Sequence, residues 1–238
     1  MLIKRVLRTY PLFLLFFLVT ASSRADVLQV YDFEDPDLHA TQWSAVTVPQ
    51  GDNALTANGI AETAVIPSGY DLGSIQGDRI IRTWNRGLGN PAVVIGDGPT
   101  GGIRTAPFTL AANATFDYLI GGGNHAWPVG GDPDAIPADV TVLNLEAEVG
   151  PGDWEVLFTA TGPDANNLHA ESWDASAHAG RTVRLAIYDT HVAGWGHIDV
   201  DNIVYSGDPI PEPSSILLLA LGALSFTVLG WSRRKKRA

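Results

Sequence analysis

The sequence contains no cysteine and a single methionine, and residues 26–210 contain no lysine. Without cysteine there are no disulfides and no thiolate metal sites, so the folded part must be held together by its hydrophobic core. Between residues 26 and 210, six arginines stand against 25 aspartates and glutamates, which gives a formal net charge of −19. Such an acidic body repels phosphate backbones and argues against nucleic acid as a partner. The excess of carboxylates is compatible with calcium binding, although an acidic composition alone usually means only a solvated surface.

A long amphipathic helix is also lacking between residues 26 and 210. In its place, short alternating or apolar segments lie between turns rich in Gly, Asn, Asp and Pro, which is the pattern of strands. Segments 141–148 and 154–161 are the arms of a predicted hairpin, and Pro107 indicates an edge position or a bulge. We therefore predict an all-β fold, an antiparallel jelly-roll-like β-sandwich, over residues 26–208. The other predicted strands are 27–33, 80–84, 92–95, 103–110, 115–120 and 181–188.

Residues 1–25 have the organisation of a secretory signal peptide. Basic residues precede the apolar run 12–19, and the sequence SRA at 23–25 provides small residues at both cleavage positions. An N-terminal membrane anchor is the alternative, but the apolar run is short for a spanning helix. We therefore expect an exported protein.

The other end combines a stiff linker, an apolar segment and a basic cluster. Residues 209–215 form the proline-rich linker, residues 216–232 are predicted to form one transmembrane helix, and residues 233–238 form a basic tail. Positive charge at this end favours a cytoplasmic terminus, with the acidic body on the outside.

The linker carries the sequence Pro211-Glu212-Pro213. Followed by one hydrophobic helix and terminal arginines, it resembles the PEP-CTERM sorting signal of Gram-negative bacteria. The resemblance implies an exosortase-type membrane peptidase as a partner. It also implies a precursor anchored in the inner membrane, and delivery to the cell surface or the extracellular matrix. An ordinary tail anchor is the alternative.

The body of the chain carries three blocks that bear a second resemblance. They read IGGGNH at 120–125, SWDAS at 172–176 and GWGHIDVDNI at 194–203. The last block alternates from residue 197 to 201, which predicts a strand with one buried face. In this order the blocks resemble a β-sandwich module that is attached to levanase-like glycoside hydrolases and other secreted bacterial proteins. The resemblance does not fix a function, because such modules accompany many partners.

The start of the body, where the pair Phe33-Glu34 is followed after a short acidic turn by Trp43, resembles that of lectin-like and carbohydrate-binding jelly rolls. In several of these a glutamate and an aspartate of the last strand share a structural Ca²⁺, and the corresponding residues here are Glu34 and Asp201. A shared cation would turn the repulsion between two carboxylates into attraction and tie both chain ends of the sandwich together. Two unrelated surface carboxylates are the alternative.

The sequence shows no catalytic constellation, and we do not expect an enzyme. There is no Gly-x-Ser-x-Gly elbow, and a pair of carboxylates carries no signal among so many acids. The six histidines show no metal-ligand spacing. The resemblance brings His125 and His197 near each other, and there a structural role is favoured over zinc binding.

Two classes of function remain. The first is binding of carbohydrate or extracellular polymer, in which aromatic rings stack on sugars and polar groups bond to hydroxyls. The second is a purely structural surface protein without a discrete ligand, and a glycoside hydrolase-associated enzyme is a distant third. Exposed tryptophans favour the first class and buried ones the second. Because both glycine-rich blocks recur together in the modules that the chain resembles, the resemblance implies that residues 121–123 pack beside the turn at 194–197. The candidate ligand-binding residues are Asn124, His125, Trp127, Trp195 and His197.

Overall fold

The computed structural model describes residues 25–48, 64–65, 73, 75–84, 96–98 and 100–208. Nearly all of the predicted signal peptide lies outside these residues, as do the strand predicted at 92–95, the linker, the transmembrane helix and the basic tail. Within the ranges just given, no helix has the length and apolar character that are needed to cross a membrane.

The described residues form twelve strands and one short α-helix, which confirms the all-β class. In chain order the elements are β1 (Asp26–Tyr31), α1 (Pro36–Gln42), β2 (Trp43–Val46), β3 (Ala64–Val65), β4 (Arg79–Arg82), β5 (Gly101–Thr105), β6 (Phe108–Thr109), β7 (Ala112–Gly122), β8 (Thr141–Gly150), β9 (Asp153–Ala160), β10 (Ala165–Asp174), a 3-10 turn (Ser176–His178), β11 (Thr182–Asp189) and β12 (Ile198–Asp208).

The strands make two antiparallel sheets that pack face to face. The first sheet has the order β10-β7-β12-β4-β3, with β1 also paired to β12. The second has the order β2-β5-β11-β8-β9, with β6 also paired to β11. The predicted hairpin is β8–β9, and Pro107 separates β5 from β6, which both pair with β11. The first strand lies beside the last, with Tyr31 opposite Ile203.

The main hydrophobic core lies between the two sheets. Phe116 and Val200 face it from the first sheet, and Leu145 and Ile187 face it from the second, all fully buried. Burial of each such side chain contributes about 1.5–3 kcal/mol. Phe116 stacks on Tyr205 with ring centroids 4.8 Å apart, which joins β7 to β12 through side chains as well as through the backbone.

From residue 198 to residue 201, strand β12 is buried on both faces, whereas the alternation predicts one buried face. Asp199 and Asp201 lie on the face away from the core and are both fully buried. The chain before and within β4 covers them. The N–H of Gln76 donates to Asp201 at 2.7 Å, and Arg82 Nε lies 3.0 Å from Asp199 Oδ1. The alternating aspartates are therefore part of a buried polar layer.

The outer face of the second sheet also buries a carboxylate. Glu146 accepts a hydrogen bond from the Tyr188 hydroxyl at 2.7 Å, and its Oε2 lies 2.6 Å from Arg184 Nε and 3.5 Å from Arg104 Nε. Since both oxygens of Glu146 have partners, its charge is compensated inside the protein.

Several elements were not predicted, among them helix α1 and strand β10. Helix α1 begins after Asp35, whose carboxylate accepts the N–H groups of Asp37 and Leu38 at 3.0 and 3.2 Å. Pro36 at the first helical position suits this start, but seven residues are too few to show a helical period. Strand β10 pairs with β7 along its length, although its sequence ANNLHAESWD has no β-branched residues.

Candidate functional site

The two glycine-rich segments meet at one end of the sandwich. The N–H of Gly123 donates to the carbonyl oxygen of His197 at 2.8 Å. A Cβ added at Gly123 would lie 1.9 Å from the carbonyl oxygen of Trp195, so the contact requires glycine. Residues 121–123 thus pack beside the turn at 194–197, as the sequence predicts.

Trp195 adopts a left-handed backbone conformation in this turn, with φ of +63°. For a bulky aromatic residue such a conformation costs on the order of 1–3 kcal/mol and persists only where the surroundings enforce it. The N–H of Trp195 donates to Asp97 Oδ2 at 3.1 Å, and the N–H of Gly196 closes the turn on the Ala193 carbonyl at 2.8 Å. Trp195 remains 39% exposed. The turn therefore holds an aromatic ring towards solvent in spite of backbone strain.

Asp97 links this turn to a buried histidine. Asp97 Oδ1 lies 2.8 Å from His197 Nδ1, while its other oxygen accepts the N–H of Trp195. The His197 ring is buried, with its centroid 5.8 Å from that of Trp195. Because both oxygens of Asp97 are engaged, Asp97 fixes the position of the turn.

A cleft of about 290 Å³ opens beside Trp195. Its walls combine two indole rings with a carboxylate, an amide and an imidazole, contributed by Trp84, Asp97, Asn166, Gly194, Trp195 and His197. The guanidinium carbon of Arg82 lies 5.0 Å from the Trp84 ring centroid, a cation–π contact that orients this indole. Aromatic faces with a few convergent polar groups are the mixture that sugar recognition needs.

Buried carboxylates lie next to the polar residues of the cleft. Asp199 pairs with Arg82, yet burial raises its pKa even against the nearby charges of Arg82 and His197. Burial also raises the pKa of Asp189 well above its ordinary range, and a hydrogen bond from Thr83 opposes this only in part. A carboxyl group with a raised pKa can remain buried in its neutral form.

Two other predicted residues lie outside the walls of the cleft. The Asn124 side chain accepts a hydrogen bond from the Thr161 hydroxyl at 2.9 Å, and its backbone N–H donates to Asp164 at 2.9 Å. His125 stacks on His191, with ring centroids 3.7 Å apart. The structure therefore brings together Trp195 and His197, but directs Asn124 and His125 to other neighbours.

Trp127, which was predicted as a ligand-binding residue, belongs instead to a hydrophobic cluster. Its side chain is 2% exposed, and its ring centroid lies 5.1 Å from that of Tyr188 on the outer face of the second sheet. The loop after β7 folds over this face, where the N–H of Gly130 donates to the Val156 carbonyl at 2.7 Å. A covered indole cannot stack on a sugar.

The two predicted calcium ligands, Glu34 and Asp201, both accept N–H groups from the segment that leads into β4. Glu34 Oε1 accepts the N–H groups of Asp78 and Arg79 at 3.0 and 2.9 Å. Asp201 Oδ2 accepts the N–H of Gln76 at 2.7 Å, but its buried Oδ1 meets no hydrogen-bond donor among the residues described. Burial, followed by repulsion from Glu34, raises the pKa of Asp201 to about 6. The orphaned oxygen is the atom that a cation would contact.

The sequence did not predict three of the residues that line the cleft, namely Trp84, Asp97 and Asn166. The contact between Asp97 and His197 joins residues 100 positions apart. The sequence GDG at 96–98 is a turn signal and carries no information about its partner.

Comparison with known proteins identifies the C-terminal segment. Residues 209–236 match the PEP-CTERM protein-sorting motif. This chain carries a PEP-CTERM sorting motif. The match includes Pro211, Glu212 and Pro213, begins directly after β12, and confirms the resemblance of the tail.

The body is similar to part of a larger protein. It is 28% identical over 158 residues to a protein named as a glycosyl hydrolase, ecdE of Aspergillus rugulosus, and the match covers 66% of this chain and 20% of that protein. The chain therefore spans about a fifth of the length of this curated relative.

Similar solved structures include two domains of about this size. The K3 cleaved adhesin domain of Lys-gingipain from Porphyromonas gingivalis is 13% identical with a TM-score of 0.35, covering 77% of this chain and 99% of that one. TmCBM61, solved with β-1,4-galactotriose, is 11% identical with a TM-score of 0.35, covering 74% and 97%. At these scores neither likeness bears on the ligand of this protein.

Proposed function

We propose that this protein is an exported, surface-sorted and non-catalytic β-sandwich that binds carbohydrate of an extracellular polymer in the cleft beside Trp195. The observation that carries the proposal is the exposed Trp195 ring, held in a strained turn by Asp97. Sugars present apolar C–H faces and hydroxyl groups, and the cleft offers indole faces beside an amide, a carboxylate and an imidazole. The strain supports a functional role, because strained backbone concentrates at binding sites.

The arrangement of acids supports binding rather than catalysis. Glycoside hydrolysis by the common routes uses two carboxyl groups that flank the bond. Among the described residues, Asp97 is the one carboxylate in the wall of the cleft, and both its oxygens are engaged by the turn. Asp189 and Asp199, which lie nearby, are fully buried.

The sorting motif supports a route to the surface. We infer that the signal peptide at 1–25 directs export and that the helix at 216–232 anchors a precursor in the inner membrane of a Gram-negative bacterium. An exosortase-type peptidase then acts at the motif that includes Pro211, Glu212 and Pro213. Processing releases the acidic body to the cell surface or the extracellular matrix.

A purely structural surface protein without a discrete ligand is the second candidate. Trp127 and Trp173 favour it, because both indoles are buried in the packing of the sandwich. We infer a jelly-roll-like arrangement for this sandwich, and the antiparallel pairing of the first strand with the last supports it.

We further propose that calcium binds between Glu34 and Asp201 in a structural role. The donor chemistry fits a hard cation, since the charge of Glu34 acts on Asp201 and the buried Oδ1 of Asp201 lacks a hydrogen-bond donor among the described residues. Glu34 would supply the oxygen that is not held by backbone N–H groups. Asp32, whose charge also acts on Asp201, is a third carboxylate nearby.

The carbohydrate proposal is tested with a glycan array, followed by titration of the best glycan into the purified full-length protein. Trp195→Ala should weaken binding by about 2 kcal/mol, or about thirtyfold in Kd, because it removes the stacking surface. Val192→Ala removes an exposed apolar side chain from the same loop and should leave Kd unchanged. Thermal unfolding of both variants checks that each is folded. Absence of any glycan ligand, or equal binding by Trp195→Ala and the unmodified protein, would favour the structural candidate.

A further inference from the structure

We propose that His125, Asp139 and His191 form a binding site for a divalent transition-metal ion, with Zn²⁺ as the best-fitting ion. Their ligand atoms all lie within 4.8 Å of one another. The site is separate from the Glu34–Asp201 pair and does not depend on carbohydrate binding. Sequence reasoning considers His125 together with His197, whereas the structure places it against His191.

The three side chains converge from different parts of the fold. His125 follows β7, Asp139 precedes β8, and His191 follows β11. Nδ1 of His125 lies 3.8 Å from Oδ1 of Asp139, and Nδ1 of His191 contacts the same oxygen directly. The two imidazole rings are stacked, with centroids 3.7 Å apart and planes 22° from parallel. Two ring nitrogens thus face one carboxylate oxygen around a common point.

The backbone that carries these ligands is fixed by two reciprocal hydrogen-bond pairs. The N–H of Thr141 donates to the carbonyl oxygen of His125 at 3.0 Å, and the Thr141 hydroxyl accepts the N–H of His125 at 3.3 Å. The N–H of Thr190 donates to the carbonyl oxygen of Val140 at 2.8 Å, and the Thr190 hydroxyl accepts the N–H of Val140 at 3.0 Å. Each pair lies next to a ligand in the chain. The ligands are therefore held close before an ion arrives, which reduces the entropy that binding removes.

Two imidazoles and one carboxylate are a donor set that zinc uses when three protein ligands leave a fourth position open. Calcium prefers an all-oxygen set, so the two histidines select against it. Around tetrahedral zinc, ligand atoms lie roughly 3.4 Å apart. This is closer than the separation of up to 4.8 Å among the ligand atoms of this site. Asp139 is 71% exposed and free to move inward, while the two stacked rings must splay to point their nitrogens at the ion.

The position of the site gives the ion a consequence for the neighbouring turn. A Cβ added at Gly196 would lie 2.6 Å from the carbonyl oxygen of His191, so the start and the end of this loop are in contact. An ion bound to His191 would fix the start of the loop that carries Trp195. Metal binding should therefore reduce the mobility of the loop.

The test uses the untagged full-length protein, stripped with a chelator, and two probes. Zn²⁺ is titrated by calorimetry, and Co²⁺ is added as a spectroscopic substitute whose visible absorption reports coordination by nitrogen and oxygen. The variants are His191→Ala and Asp139→Asn, and the latter changes an exposed side chain and should leave the fold intact. His178→Ala is the matched control, because His178 lies in the 3-10 turn and packs against Phe158.

We expect one Zn²⁺ per chain and a Co²⁺ spectrum that Zn²⁺ abolishes. Asp139→Asn should weaken Zn²⁺ binding at least about tenfold, since even residues behind a metal's direct ligands have effects of this size. His191→Ala should remove the Co²⁺ spectrum, and His178→Ala should change neither readout. A metal-free ion pair between His191 and Asp139 accounts for the same contacts. Absence of Zn²⁺ binding, or equal binding by Asp139→Asn and the unmodified protein, would establish that reading and overturn the proposal.

Discussion

The calcium proposal predicts that Asp201→Asn removes both a calcium effect and a pH dependence of stability. Without metal, burial raises the pKa of Asp201 from its ordinary 3.8 to about 6, with further contributions from Glu34 and Asp32. Above this pH the carboxylate is ionised although its side chain is 0% exposed. Asparagine keeps the shape of the side chain and removes the charge.

The magnitude follows from the pKa. A rise of about two units corresponds to about 3 kcal/mol. Because the folded state binds this proton more tightly than the unfolded state, the contribution of Asp201 to metal-free stability is fully present below about pH 4. That contribution is lost as the pH rises from about 4 to about 6 and does not change further above that. Calcium at a hundredfold excess over its Kd adds about 3 kcal/mol where the carboxylate is ionised. For a domain of this size, this raises the melting temperature by about 6–12 °C.

The assay is thermal and urea unfolding of the full-length protein at about pH 4 and about pH 7.5, with calcium or with a chelator. Calcium should stabilise the unmodified protein at the higher pH alone and should leave Asp201→Asn unchanged. In chelator at the higher pH, Asp201→Asn should be the more stable protein. Asp153→Asn alters an exposed carboxylate of the β8–β9 hairpin and should behave like the unmodified protein. The calcium proposal is wrong if calcium has no effect on the stability of the unmodified protein, or if Asp201→Asn is less stable than the unmodified protein in chelator.

Three further substitutions test the buried Glu146 ion pairs, the contact at Gly123 and the sorting motif. Glu146→Ala should reduce the free energy of unfolding by about 3–5 kcal/mol in urea titrations, because it leaves two arginines without their buried partner. Gly123→Ala should destabilise by about 2 kcal/mol or more and disturb the Trp195 turn, whereas Gly194→Ala, with no atom within 4 Å of the added Cβ, should be tolerated. Glu212→Ala should leave the C-terminal segment attached, as mass spectrometry of protein recovered from cells would show; removal of that segment from the variant would contradict a role for the motif.

The fold class could be predicted from the sequence because strands and turns are specified locally. The β8–β9 hairpin and the break at Pro107 follow from alternation and from the missing N–H of proline. Strand β10 could not be predicted, since its polar sequence becomes a strand only where β7 offers an edge, with Trp173 opposite Phe116. Tertiary pairing decides such a segment.

The candidate site could be predicted only where its own sequence is unusual. The glycines around Trp195 mark a turn, and their packing against residues 121–123 was expected from the recurring blocks. Asp97 and His191 give no such signal. Each lies in a short connection and gains its role from a partner that is distant in sequence, which a single sequence does not reveal.

The body of the chain has few basic residues with which to compensate its buried carboxylates. Between residues 26 and 210 arginine is the only permanently charged cation, and the two sheets use it to compensate Asp199 and Glu146. Among the described residues, Asp189 and Asp201 are buried without an arginine partner, and burial raises the pKa of both. A buried carboxylate in this position must either hold its proton or bind a cation. Asp189 is nearly enclosed and suits the proton, whereas the charges of Glu34 and Asp32 act on Asp201, which is the carboxylate for which we propose a cation.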